Sequence, residues 1–211
     1  MLVPAMSHYP LFLSLSLITV LMPGSAVLMT LSTALTRDRK ASVYAIAGLI
    51  CGSCITCAAA MLGGAALLAS VEASALRALE LASVGVLAYL AVRAWRAAPL
   101  PAMQDQPQRR VLRRIFVSGL MLQCVNPYLL VYVMATWPQF LDRAQPLPLQ
   151  LLALLGLHAL VTLGVHSGYA ALAHRACRWL GGRGGALQMR RFGALAYLGF
   201  GASLALRLVG G

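Results

Sequence analysis

The sequence predicts an all-α integral membrane protein whose six transmembrane helices form two inverted three-helix repeats. Three observations predict this fold: a composition poor in charge, an alternating distribution of basic residues, and prolines at matching places in two apolar stretches. Of the 211 residues, 60% are hydrophobic and 10% are charged. Soluble domains carry about 25% charged residues, so most of the surface is expected to face lipid.

Basic residues cluster in every second polar segment. Fourteen of the seventeen Lys and Arg residues lie in segments 37–40, 93–114 and 175–191. The other polar segments carry one each, namely Arg77, Arg143 and Arg207. Loops rich in Lys and Arg stay on the cytoplasmic side. The alternation therefore predicts an even number of spans, with both termini outside the cytoplasm.

The net charge of +12 does not predict a nucleic-acid partner. The basic residues bracket apolar stretches and are not interleaved with the aromatic residues of a nucleic-acid surface. We expect them to set the topology and to contact anionic lipid headgroups.

Six apolar stretches are long enough to cross a bilayer core of about 30 Å, which requires about 20 residues per helix. The predicted spans are Leu11–Leu35, Val43–Ala69, Ala75–Val92, Ile115–Trp137, Gln150–Ala173 and Phe192–Val209. We expect one membrane domain over residues 1–211, with a first repeat at 1–95, a cytoplasmic linker at 96–113 and a second repeat at 114–211. Because each repeat has three spans, the second must insert in the opposite orientation.

Prolines interrupt the first span of each repeat near its middle. The residues at these breaks are Pro23, Gly24 and Ser25 in the first repeat, and Gln123, Asn126 and Pro127 in the second. A proline inside a helix frees the carbonyl four residues earlier, here that of Thr19 or Gln123. In hydrocarbon this carbonyl needs a partner, which a neighbouring helix, a water or a substrate ammonium can supply. Matched breaks predict a substrate site between the repeats at the bilayer midplane; the alternative is two structural kinks.

Two histidines, His158 and His166, lie in the fifth predicted span. All five acidic residues lie in loops or near span ends, which argues against a binding site for a hard metal ion. The histidines are eight residues apart and share a broad helix face. Since histidine titrates near physiological pH, we predict that one of them carries a coupling proton. The alternative is that both are hydrogen-bonded packing residues.

Small residues form two patterns in the second span. Gly48 and Gly52 have the spacing that lets helices approach closely, either within the chain or across a homodimer. Cys51, Cys54 and Cys57 recur at every third position. Reduced thiols packed as small side chains are the simplest interpretation. The alternatives are a path for soft metal ions and a thiol–disulfide relay.

Short motifs occur in a fixed order along nearly the whole chain. They are Pro23-Gly24, Arg37-Asp38-Arg39-Lys40, Tyr89-Leu90, Trp95-Arg96, Phe116-x-x-Gly119, Asn126-Pro127, Pro138-Gln139-Phe140, Arg191-x-Gly193 and Gly199-x-Gly201. In this order the motifs resemble the lysine-exporter (LysE) superfamily, in its homoserine/threonine efflux branch. Ser25 replaces the family's second proline, and Tyr128 stands where the family has a lysine.

The resemblance implies a bacterial inner-membrane exporter of amino acids or small derivatives, driven by protons through alternating access. It places Tyr128 and Tyr169 in the substrate site beside the break residues. The sequence has no catalytic triad, phosphate loop or nucleotide motif, so we expect no enzyme activity, no cofactor and no resident metal. The expected partners are an amino-acid substrate, protons and lipid. A soft-metal-ion exporter and a transmembrane thiol–disulfide relay are the alternative functions.

Overall fold

The computed structural model is helical throughout the part of the chain that it describes. The described residues are 9–22, 24–70, 73–96, 109–142 and 145–179, together with short helical pieces between 191 and 206. Several predicted features lie outside them: Pro23, most of the linker at 96–113, and most of the sixth span, Phe192–Val209. The side chain of Arg93 is also outside the described part.

Seven α-helices and one 3₁₀ helix make up the described elements. They are α1 (Tyr9–Leu21), α2 (Ser25–Thr36), α3 (Arg39–Ser70), α4 (Ala73–Arg96), α5 (Arg109–Cys124), α6 (Pro127–Thr136), the 3₁₀ helix Trp137–Phe140, and α7 (Leu147–Trp179). α3 and α7 are each long and apolar enough to cross a membrane. The pairs α1–α2 and α5–α6 each qualify as one broken span, which gives two to four candidate spans among the described residues.

Both predicted breaks are present as bends between consecutive helices. α1 and α2 meet at 60°, and α5 and α6 meet at 51°. α6 begins at Pro127, where the missing proline N–H costs nothing because the first turn has no internal acceptor for it. The break between α5 and α6 therefore follows directly from the Asn126-Pro127 sequence.

The outside of the bundle is apolar, unlike the surface of a soluble protein. Large apolar side chains cover it, and Leu62 and Leu152 are 70% and 67% exposed. Its interior contains apolar clusters and also buries polar side chains, which include Ser16, Thr30, Ser53, Gln123, His158, Thr162 and His166. Such a surface is stable only in contact with lipid, so the fold is that of a membrane protein.

The two broken spans lie side by side and run antiparallel. α1 contacts α6 through a Ser16–Tyr132 hydroxyl bond of 3.1 Å, whereas α2 packs against α5. The first half of each broken span thus meets the second half of the other. This pairing brings the two breaks to the same level of the bundle.

The unbroken helices pack in a reciprocal way. α3, from the first half of the chain, lies against α5 and α6, and α7, from the second half, lies against α1 and α2. Each long helix therefore supports the broken span of the other half. α3 and α7 also contact each other.

Three glycines allow α3 and α5 to touch backbone to backbone. A Cβ atom added at Gly48 would collide with the carbonyl oxygen of Phe116, and one at Gly52 with that of Leu120. In the opposite direction, a Cβ added at Gly119 would lie 2.8 Å from the carbonyl oxygen of Ala45. The Gly48–Gly52 pair is thus used for packing within the chain.

Candidate binding site at the two helix breaks

Asn126 organises the break between α5 and α6. Its side-chain oxygen accepts hydrogen bonds from the backbone N–H groups of Tyr128 at 3.1 Å and Leu129 at 3.3 Å. This is the N-cap arrangement that satisfies the first donors of a helix. The Asn126 amide also donates to the side-chain oxygen of Gln123 at 2.9 Å. Both polar atoms of the Asn126 side chain therefore hold the break together.

The carbonyl of Gln123, which Pro127 frees, has two partners in the structure. Thr56 on α3 donates its hydroxyl to this oxygen at 3.1 Å, and the backbone N–H of Asn126 donates at 3.2 Å. A carbonyl oxygen has two lone pairs, so both are used. A neighbouring helix, one of the three partners expected from the sequence, thus fills the position that a substrate ammonium would need.

The break between α1 and α2 is arranged differently. Gly24 is the N-cap of α2 in an extended conformation and has no side chain to cap the helix. Ser25, the first residue of α2, is half-buried. The first N–H groups of α2 thus begin at mid-bundle without the side-chain acceptor that Asn126 provides for α6, and an unsatisfied helix N-terminus attracts anions.

Tyr169 on α7 binds the end of α1. Its phenolic hydroxyl donates to the backbone carbonyl of Leu21 at 2.9 Å, and Leu21 is the last residue of α1. The last carbonyls of a helix have no intrahelical donor. Tyr169 and Thr56 therefore have corresponding roles: each donates its hydroxyl to a backbone carbonyl at one break. In both cases the hydroxyl comes from the long helix of the opposite half of the chain.

One face of α7 carries a buried polar stripe. His158, Thr162 and His166 are each at most 2% exposed and recur at four-residue spacing, which aligns them on the helix. Thr162 donates its hydroxyl to the His158 carbonyl at 2.8 Å. The Nδ1 atom of His166 lies 2.8 Å from the hydroxyl oxygen of Thr30 on α2. The stripe therefore places an imidazole directly against the second half of the broken first span.

His158 lies among aromatic rings near the 3₁₀ helix. Its ring centroid is 5.7 Å from that of Trp137, in an edge-to-face arrangement, and 6.4 Å from that of Tyr132. Trp137 in turn packs edge-to-face against Phe12 of α1 at 5.4 Å. The two predicted histidines thus contact different broken spans: His158 lies beside Tyr132 of α6 and Trp137 of the 3₁₀ helix, whereas His166 lies beside Thr30 of α2.

Two sets of predicted residues lie away from this centre. The side chain of Tyr128 is 49% exposed. The cysteines of α3 differ in exposure, since Cys51 is exposed, Cys54 is half-buried and Cys57 is buried. No group of three potential metal-binding side chains occurs in the part of the chain that the structure describes.

Sequence reasoning missed Thr56, Thr30, Tyr132 and Trp137. A signal for Thr56 was present, because Gly48, Gly52 and Thr56 continue one four-residue spacing along α3 and so face α5 together. The other three sit in apolar surroundings without a pattern that marks them. Their role follows only from the helices they meet.

A helical membrane bundle in which two spans break beside buried polar groups has the architecture of a membrane translocator. The sequence agrees: residues 17–208 match the profile of the LysE type translocators, and the chain belongs to that family. This confirms the resemblance inferred from the motifs. The family consists of translocators, which places the chain among transporters rather than enzymes.

Three relatives cover most of the chain. A homoserine/homoserine lactone efflux protein of Salmonella typhimurium is 31% identical over 171 residues, which are 81% of this chain and 82% of the relative. The protein of that name from Salmonella typhi is 30% identical over the same shares. An uncharacterised membrane protein of Vibrio cholerae is 27% identical over 199 residues, 92% of this chain and 94% of the relative. No solved structure matches the chain.

Proposed function

We propose that this protein exports amino acids or small amino-acid derivatives across the bacterial inner membrane by proton-coupled alternating access. The first substrates to test are homoserine and its lactone, because relatives that match four-fifths of the chain are efflux proteins for these compounds. The observation that carries the proposal is the antiparallel pairing of the two broken spans, which places both breaks at one level inside the bundle.

The proposed topology has six spans in two inverted repeats. Reciprocal packing supports it, since α3 lies on the broken span of the second half and α7 on that of the first. With basic loops in the cytoplasm, both termini are periplasmic. Reporter fusions at the two ends test this: opposite compartments for the termini contradict the inverted repeat.

The carboxylate of an amino-acid substrate is assigned to the N-terminus of α2; in homoserine lactone, which has no carboxylate, the ester carbonyl takes this place. This half-helix starts at Ser25 and is preceded by glycine, so no N-cap side chain competes with an anion for its first N–H groups. The corresponding groups of α6 are already bound by Asn126. The second break therefore offers no such N-terminus, and the carboxylate is assigned to the first break alone.

The substrate ammonium is assigned to the carbonyl of Thr19. Pro23 follows Thr19 by four residues and has no N–H to donate to this oxygen. Gln123, the other carbonyl that a proline frees, is engaged by Thr56. Thr19 and Ser25 flank the same break, so in this proposal the two charged groups of an amino acid are bound on its two sides.

Proton coupling is assigned to His158 and His166. Both are buried on α7, which packs against α1 and α2, and a neutral histidine costs less to bury than a carboxylate. His166 contacts Thr30 of α2 directly, so a change in its protonation acts on the half-helix that bears the proposed carboxylate site. The binding and release of a proton can in this way bias the position of α2.

The experiment uses everted vesicles with an acidic interior and a panel of radiolabelled compounds. Homoserine, homoserine lactone and threonine are compared with cadmium ions. Uptake of an amino compound that collapses with the pH gradient supports the proposal. Uptake of cadmium alone, or loss of all transport when Cys51, Cys54, Cys57 and Cys124 are replaced by alanine, favours the soft-metal or thiol alternatives.

Matched variants separate site from scaffold. Ser25→Ala removes a hydroxyl at the proposed carboxylate site, whereas Ser14→Ala removes an exposed hydroxyl of α1 that bonds only its own helix. His158→Gln and His166→Gln are compared with His174→Gln, a histidine nearer the end of α7. Transport that stays dependent on the pH gradient in both His158→Gln and His166→Gln contradicts the assigned coupling.

A further inference from the structure

Two buried polar atoms in the bundle have no hydrogen-bond partner among the described residues. They are the indole Nε1 of Trp137 and the imidazole Nδ1 of His158. Trp137 is 0% and His158 is 2% exposed. Leaving such a group unpaired in an apolar interior is strongly unfavourable, and here two such groups belong to side chains in direct ring contact.

The two atoms are chemically complementary but have no direct bond. The indole N–H is a donor only, and the Nδ1 of a neutral imidazole is either a donor or an acceptor. The two rings are in edge-to-face contact, with centroids 5.7 Å apart, so both nitrogen atoms belong to one small part of the interior. One oxygen between them can accept from Trp137 and donate to His158.

We propose that a single water molecule bridges Trp137 Nε1 and His158 Nδ1, between the 3₁₀ helix and α7. Buried waters satisfy otherwise unpaired polar groups in this way, usually with two to four partners. The surroundings are apolar on the remaining sides, where Phe12, Cys57 and Leu154 pack in the same cluster. The water is therefore held by the two nitrogen atoms and is confined by the side chains around them.

The water also gives the histidine two allowed protonation states. When Nδ1 is unprotonated, the water donates to it; when Nδ1 carries a proton, the water rotates and accepts from both nitrogen atoms. A direct indole-to-imidazole bond would permit only the first state. The role of the water in coupling rests on the proposed function, whereas its presence does not.

Other polar groups near His158 are few. Tyr132 on α6 is titratable, and its hydroxyl is paired with Ser16 of α1 at 3.1 Å. Cys57 of α3 belongs to the same apolar cluster, to which α1 contributes Phe12. Among these described neighbours there is no charged side chain that would replace the water as a partner for the imidazole.

The first test is a double-mutant cycle in thermal stability on substrate-free protein, with Trp137→Phe and His158→Leu. If a water joins the two residues, either single variant strands the other partner, and the double variant loses less than the two single losses together. We expect this difference to be about 3 °C in melting temperature. The readout does not involve transport, so its failure is distinguishable from failure of the proposed function.

Ring packing alone also couples neighbouring residues, and the cycle therefore needs a matched control. Phe12 meets Trp137 edge-to-face at 5.4 Å but has no polar atom. The cycle of Phe12→Leu with Trp137→Phe measures the packing contribution. A Trp137–His158 coupling no larger than the Phe12–Trp137 coupling overturns the proposal.

A second measurement does not depend on variants that fold. An experimental structure of the wild-type protein without substrate, at a resolution that shows ordered waters, should contain a density peak within about 3 Å of both nitrogen atoms. An empty position overturns the proposal. A peak that appears only with substrate also overturns it, because the site then binds a substrate hydroxyl or amine and not water.

Discussion

Replacement of Asn126 tests the most connected side chain at the two breaks. Asn126→Ala removes the acceptor for the N–H groups of Tyr128 and Leu129. Loss of such an N-cap costs about 1 kcal/mol, with a range of about 0.5–2 kcal/mol. It also removes the donor to the buried side-chain oxygen of Gln123, and a stranded buried acceptor costs about 1–3 kcal/mol. Together these give a loss of about 2–4 kcal/mol, or about 5–15 °C in melting temperature.

A serine at the same position divides this loss into its two parts. Asn126→Ser keeps a cap oxygen for α6 but cannot donate to Gln123 in the same way, so about half of the loss should remain. The assay is thermal unfolding of purified protein in detergent, followed by vesicle efflux per folded molecule. Equal losses for Ala and Ser, or an Ala variant within about 2 °C of the wild type, refute the assigned contacts.

The remaining predictions concern the supports of the two breaks. Gly48→Ala should lower the free energy of unfolding by about 1–3 kcal/mol, because the added Cβ atom meets the backbone of α5. The control Gly85→Ala places its Cβ atom in open space and should be neutral or stabilising. Equal melting temperatures for the two variants would contradict the close packing. Thr56→Val removes the hydroxyl bond to Gln123 and should cost about 0.6–1.5 kcal/mol in thermal unfolding, while Thr56→Ser should restore wild-type stability. Tyr169→Phe should lower the free energy of unfolding by about 1 kcal/mol. It should also reduce substrate efflux more than substrate binding, which paired flux and equilibrium-binding measurements distinguish. Unchanged flux would show that the Tyr169 bond does not position the break.

The positions of the breaks could be predicted from sequence because they depend on covalent chemistry. Proline lacks an N–H wherever it stands, so the bend at Pro127 follows without knowledge of any neighbour. Helix ends were less predictable. α3 begins at Arg39 and α5 at Arg109, each several residues before the predicted span, because basic residues that end a hydropathic stretch still favour helix and extend toward the headgroups.

The partners of the polar side chains could not be predicted, because they depend on which helices meet. The spacing of Gly48 and Gly52 predicts a close helix contact but does not identify α5 as the partner. The three-residue period of the cysteines likewise predicts a shared stripe, whereas in the bundle Cys51 faces outward and Cys57 lies in the core. A histidine in an apolar stretch gives no sign that Trp137 will lie against it.

The hydroxyl bonds of Thr56 and Tyr169 have a consequence for biogenesis. The Tyr169 donor is encoded 148 positions after its acceptor at Leu21, whereas Thr56 precedes Gln123 by 67. When α5 and α6 are inserted, the donor for the Gln123 carbonyl is therefore already in the membrane. The donor for the Leu21 carbonyl is inserted only with α7, when most of the chain has been synthesised. Nascent chains that stop short of α7 lack the Tyr169 donor for this carbonyl, so an unfinished copy differs from a complete one in a backbone acceptor that must find another partner.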